Sequence, residues 1–126
     1  MKVLHLFSNR KWTGPAEPVV NLCASLLRRG VDLSLACTRM PDGRDSPVAD
    51  RARSKGIPLI TTLSLKKRFH LAPNIGDVVR ITRLIETERF DIVHTHLEND
   101  HLVGGIAARV ADNRPIVVRS SYHGDG

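Results

Sequence analysis

The chain has 126 residues, 41% hydrophobic and 25% charged, a length and balance that fit one folded domain spanning residues 1–126 and exclude a disordered chain. No apolar run approaches the roughly 20 residues of a membrane span, and residues 1–7 lack the build of a signal peptide. Charge is skewed to +6 overall, and unevenly: residues 1–70 carry 13 bases and 5 acids, residues 71–126 carry 6 bases and 8 acids. The basic half is expected to meet an anion, unless it is simply a solvated surface. Cys23 and Cys37 are 14 positions apart, which is neither a disulfide framework nor a metal knuckle, so both read as reduced thiols.

Residues 2–7 open the chain as a short apolar strand. A loop over residues 8–14 follows. Val19, Leu22, Cys23, Leu26 and Leu27 then repeat at helical spacing, ending at Arg28, Arg29 and Gly30. Pro18 suits the first helical position. Residues 32–37 read as a second strand, and residues 38–47 as a loop rich in Arg and Asp. Residues 48–55 predict a short helix stopped by Gly56, and residues 58–61 a third strand. A long basic loop over residues 62–73 contains Lys66, Lys67, Arg68, Phe69 and His70. Ile75, Val78, Thr82 and Ile85 predict the next helical stripe, and residues 91–94 a fourth strand. Val103, Ile106, Ala107 and Val110 predict the last stripe, closed by Asp112 and Asn113, before a fifth strand over residues 115–119. Strictly alternating strands and helices predict an α/β fold, a Rossmann-like three-layer sandwich around a parallel sheet. With strand order 3-2-1-4-5, ligands bind at the carboxyl ends of the strands, near the first and fourth.

That edge collects the residues able to do chemistry. The first loop holds Arg10, Lys11, Thr13 and Gly14 ahead of a helix N-terminus, a place for an anion, although an ordinary Gly/Pro turn has the same composition. It matches neither a dinucleotide fingerprint nor a P-loop. His94 and His96 point the same way from the fourth strand, and one of them could hold a substrate hydroxyl or phosphate or move a proton. His5 reads as a packed core residue, and His123 before Gly124 as functional. A metal site is not expected, because no Cys or carboxylate stands at a familiar ligand spacing. Glu98 and Asp100 read as acids complementing a helix N-terminus. The Lys66–Lys67–Arg68–Phe69 cluster could rest on anionic lipid, with a solvated loop as the plainer alternative. Aromatics are 4% of the chain, which argues against nucleic acid as a partner.

Three segments carry a resemblance. Residues 12–22 with residues 26–33, then Phe90-Asp91-Ile92-Val93-His94-Thr95-His96, then Ser121-Tyr122-His123-Gly124, resemble in order and spacing the N-terminal domain of GT-B glycosyltransferases of family 4. The resemblance implies a retaining transfer from a nucleotide-sugar co-substrate to a carbohydrate or lipid-linked acceptor, with no metal and no other cofactor. It implies that Thr13 and Gly14 lie against the donor diphosphate. It makes His123 the catalytic contact to sugar or diphosphate and puts Arg10, Lys11 and His96 on the acceptor side. The Thr13-Gly14-Pro15 turn departs from the family's double glycine, and Pro18 stands where Arg is common. The resemblance also implies a C-terminal donor domain with a Glu-x7-Glu motif, absent from this sequence, so the chain alone is expected to be inactive. Reduced thiols and the lack of a secretion signal lead to the expectation of a cytoplasmic place, peripheral to the membrane if the acceptor is lipid-linked, with a role in cell-envelope glycan synthesis. Two other functions fit the residues: a flavodoxin-like module binding a phosphorylated ligand without catalysis, and a polyanion binder using the basic half.

Overall fold

A computed structural model describes residues 1–121; Tyr122, His123 and Gly124 lie outside the described residues. The strands are β1 (Lys2–Phe7), β2 (Asp32–Cys37), β3 (Leu59–Ile60), β4 (Ile92–Thr95) and β5 (Ile116–Arg119). The helices are α1 (Ala16–Arg28), α2 (Pro47–Ser54), α3 (Leu71–Glu88) and α4 (Glu98–Val110). The five strands form one parallel sheet in the order β3-β2-β1-β4-β5. The expected fold and strand order are both present.

Side-chain alternation along the strands builds two cores. Val3, Phe7, Leu33, Leu35 and Cys37 pack one face of the sheet against Val19, Val20 and Cys23 of α1 and Val48 and Ala52 of α2. Leu4, Leu6, Ala36 and Val93 pack the other face against Ile81 and Ile85 of α3 and Val103 and Ala107 of α4. The helix ends obey local chemistry. Ser46 caps α2 by accepting the Ala49 N–H, with Pro47 at the first helical position. Gly30 and Gly56 sit at φ +85° and +75° after α1 and α2. In each case the glycine N–H and the next N–H return to carbonyls of the last turn, a double bond that needs a left-handed residue.

Four sequence expectations change. Helix α1 starts at Ala16, so Pro18 lies inside its first turn and not at the first position. Helix α3 starts at Leu71, which shortens the basic loop to residues 61–70. Its buried face is Asn74, Asp77, Ile81 and Ile85, while Ile75 is 56% exposed. The polar pair Asn74 and Asp77 turns inward because both side chains have hydrogen-bond work to do there. In α4 Ile106 and Val110 are likewise exposed, and Gly104 faces the sheet instead. A Cβ on Gly104 would lie 2.7 Å from Thr95 Cγ2 and 2.8 Å from Leu6 Cδ1, so only glycine lets the helix come this close.

Candidate functional site

The sheet order reverses between β1 and β4, and the loops at the carboxyl ends of the strands form one rim. On the β1–β2–β3 side a cavity of about 720 Å³ opens between the loops that follow these strands. Arg10 and Lys11 reach it from the first loop, Arg39 from the second, and Lys66, Lys67 and Arg68 from the third; Arg80 of α3 completes the wall.

The third loop is held from behind. Asp77, 1% exposed, accepts the Ser64 N–H at 2.8 Å and the Leu65 N–H at 2.6 Å, one on each oxygen. Thr38 donates its hydroxyl to the Leu65 carbonyl at 2.8 Å. Asn74 and Asn99 form a reciprocal amide pair, 2.8 and 3.0 Å, and Asn99 also donates to the Lys66 carbonyl at 2.7 Å. These anchors all act on backbone, so the loop is fixed while residues 66–70 stay exposed. Sequence reading missed Asp77, Asn74 and Asn99 as supports. Their signal was present: polar residues at positions 74 and 77 share the helical period of Ile81 and Ile85.

The first loop is a tight turn. Asn9 Oδ1 accepts the Lys11 N–H, and Thr13 N–H bonds Lys11 O. Gly14 takes φ +47°, and both Thr13 and Gly14 are exposed. The first turn of α1 offers little to a phosphate. Pro15 and Pro18 have no N–H, and the Ala16 N–H is bonded to Thr13 O, which leaves the Glu17 amide.

Across the switch point stands a stack of imidazoles. His5 pairs with His94 in register, and His96 lies two positions further, just past the end of β4, so that its ring joins theirs. Ring centroids are 4.3 Å apart for His94–His96, 4.7 Å for His5–His94 and 5.3 Å for His5–His96, all within 29° of parallel. His5 Nδ1 lies 3.0 Å from His96 Nε2, and His94 Nε2 lies 2.7 Å from Ser120 Oγ. Burial pulls His5 down to about 3 and His96 down to about 2, with His94 adding to both, so the stack is neutral. Nitrogens of the three rings lie within 4.8 Å of one another, the spacing of a three-histidine metal site.

Asp100 locks this rim together. Its Oδ2 accepts the Leu97 N–H at the start of α4 and the Ser8 N–H at the end of β1, both at 3.1 Å. Burial pushes its carboxyl up to about 7 against the pull of these hydrogen bonds. The reading of Asp100 as a helix-terminal acid holds, with the tie to β1 added.

The expected site residues therefore divide. Arg10 and Lys11 line the basic cavity. His96 is buried in the stack and borders a second cavity of about 1020 Å³ beside α4 and β5, with His101, Arg109 and Arg119. Thr13 and Gly14 lie on the turn before α1, and His123 is outside the described residues.

The family model for Glycosyltransferase Family 4 matches residues 13–126. The chain belongs to this family. Solved structures of similar fold include a glycosyltransferase from Rickettsia africae ESF-5, with TM-score 0.73 and 12% identity over 96% of this chain and 29% of that one. MurG from Acinetobacter baumannii aligns with TM-score 0.67 and 15% identity, over 94% of this chain and 34% of that protein. A UDP-N-acetylglucosamine 2-epimerase aligns with TM-score 0.62 and 19% identity, over 94% of this chain and 32% of its own. At these identities the likeness is one of fold. No curated protein matches the chain. The Family 4 chain spans about a third of the length of these solved structures.

Proposed function

We propose that this chain is the acceptor-side domain of a retaining hexosyltransferase that draws on a nucleotide-sugar. The observation that carries the reading is a cationic cavity beside a neutral histidine stack that spans the switch point of a Family 4 sheet. In the reaction the bond between the sugar's anomeric carbon and the diphosphate breaks. The acceptor hydroxyl makes the new bond to that carbon and passes its proton to an oxygen of the departing diphosphate. Charge grows on the departing diphosphate, so preorganised donors there lower the barrier. His123 is assigned to that charge by its place in the family pattern, with Thr13 and Gly14 beside it. The scarcity of free amides at the start of α1, where Pro15 and Pro18 stand, puts more of the load on His123 and on a donor-side domain. Arg10, Lys11 and His96 face the acceptor. No metal and no cofactor beyond the nucleotide-sugar enters this scheme.

A cytoplasmic enzyme touching a membrane surface, in cell-envelope glycan synthesis, fits the outer wall of the cavity. Phe69, Leu71 and Ile75 are 59%, 65% and 56% exposed next to Lys66, Lys67 and Arg68, an apolar ridge inside a basic collar. No helix of the described residues is long and apolar enough to cross a membrane.

The reading requires donor and acceptor domains together. Radiolabelled sugar transfer is therefore expected from a polypeptide joining this chain to a donor-side domain and absent from the 126 residues alone. Turnover by the 126-residue chain would refute the division of labour.

A further inference from the structure

Seven Lys and Arg side chains line the cavity at the ends of β1, β2 and β3, and none of its lining residues is Asp or Glu. The whole chain's formal excess is +6, so this one cavity gathers more positive charge than the chain carries net. Elsewhere on the surface some bases are paired, Arg53 with Asp45 at 2.7 Å and Lys2 with Glu88 at 2.8 Å. Of the cavity bases, Arg80 forms an ion pair among the described residues, 3.7 Å from Asp77, and Arg39 acts on Asp45 through charge alone. Among the described residues Arg10, Lys11, Arg39, Lys66, Lys67 and Arg68 make no ion pair. Asp77 pairs with Arg80 and makes no ion pair with these six. Like charges held this close repel, and the loop that carries three of them is pinned by buried side chains. A cluster of seven cations with only Asp77 and Asp45 near it carries the surplus of positive charge that a site for a multiply charged anion requires.

We infer that this cavity holds the phosphate or diphosphate group of the acceptor, gripped between Arg10 and Lys11, Arg39, and Lys66 with Arg68. The name acceptor rests on the transferase reading; the anion site rests on the cavity itself. Its volume of about 720 Å³ is well beyond what one phosphate fills and leaves room for an attached sugar ring. The same chemistry is offered by a soluble sugar phosphate and by the phosphorylated headgroup of a lipid-linked acceptor, whose lipid would leave past Phe69.

The test is calorimetric titration of the 126-residue chain with inorganic pyrophosphate at low salt, with circular dichroism to confirm folding of each variant. Saturable binding is expected, weakening steeply with added salt. Arg39→Gln and the double variant Lys66→Gln/Arg68→Gln should each lose affinity at least tenfold, and Arg28→Gln, at the far end of α1, should not. Absence of saturable binding, or an equal loss in Arg28→Gln, overturns the site. Flotation with phosphatidylglycerol vesicles separates the sources. Capture that fails in Lys66→Gln/Arg68→Gln assigns the phosphate to a lipid headgroup, while pyrophosphate binding without capture assigns it to a soluble acceptor. The two readings fail separately. Pyrophosphate bound here by a joined polypeptide that transfers no sugar refutes the transferase and leaves the site. Transfer whose acceptor KM ignores Arg39→Gln refutes the site and leaves the transferase.

Discussion

The basic loop depends on Asp77, and Asp77→Asn isolates that dependence. The carboxylate is buried and divides its oxygens between the Ser64 and Leu65 N–H groups at 2.8 and 2.6 Å. Asparagine has the same shape but one acceptor, so one N–H keeps a weaker bond and the other faces an NH₂ group. Losing a charge-assisted bond and stranding a buried donor costs about 2–4 kcal/mol together. Ile81 and Ile85, further along α3, still pack the sheet, so the loss should stay local. The assay is amide hydrogen exchange. Opening of the loop should become roughly 30 to 1,000 times more frequent at Ser64 and Leu65, as that energy implies, while β1 and β2 exchange as before. Pyrophosphate affinity should fall with it, although Asp77 touches no ligand. Unchanged exchange at Ser64 and Leu65, or equal acceleration across the whole sheet, would refute this account of the loop.

Adjacent glycines in α4 should respond in opposite directions. Gly104→Ala gains about 1 kcal/mol of helix propensity but drives a Cβ against Thr95 and Leu6, and overpacking of this kind costs about 1–3 kcal/mol, so the variant should be less stable in urea. At Gly105 a Cβ meets nothing within 4 Å, so Gly105→Ala should be stabilised by about 0.5–1 kcal/mol; a shared sign would contradict the packing. Acid should destabilise the fold through the histidine stack. With His5 at about 3 and His96 at about 2, the unfolded chain takes up protons below pH 6.5 that the folded chain refuses, so stability falls from pH 6.5 downward. Asp100 works the other way: raised to about 7, it contributes stability that is full below 3.8 and lost as pH rises through 7. Two imidazoles outweigh one carboxyl, so urea midpoints should drop from pH 6.5 to 4 and more steeply below 3.8; a flat or rising profile would contradict the neutral stack. Burial raises Cys23 and Cys37 to about 12, so a thiol reagent at pH 8 should label neither until the chain unfolds; stoichiometric labelling of the native chain would show that the core opens.

The sheet was legible because parallel strands buried on both faces read as short apolar runs, and residues 32–37 coincide with β2. Both Gly-terminated helices were legible for the same local reason, since Gly30 and Gly56 are stops that few other residues can make. The faces of α3 and α4 were not. Hydrophobicity placed Ile75, Ile106 and Val110 inward, whereas Asn74, Asp77 and Gly104 occupy the inner face. A helix is rotated by everything it touches, including loop N–H groups and a close sheet, and neither is visible in a hydrophobic period. The basic cavity was half legible. Residues 66–68 and Arg10 stood out as charge, but their meeting with Arg39 and Arg80 depends on loops from three strands reaching the same rim. His94 reaches from β4 to Ser120 just past β5, a bond that spans 26 positions and has no local signal. His5 Nδ1 facing His96 Nε2 was hidden by the 91 positions between them.

The central claim is best tested by release of nucleoside diphosphate from a panel of UDP-, GDP- and ADP-hexoses by a polypeptide joining this chain to a donor-side domain. The account predicts release from at least one of these donors, lowered at least a hundredfold by His123→Ala, as expected for a lost contact to developing charge. No release from any donor, or undiminished release by His123→Ala, would contradict it.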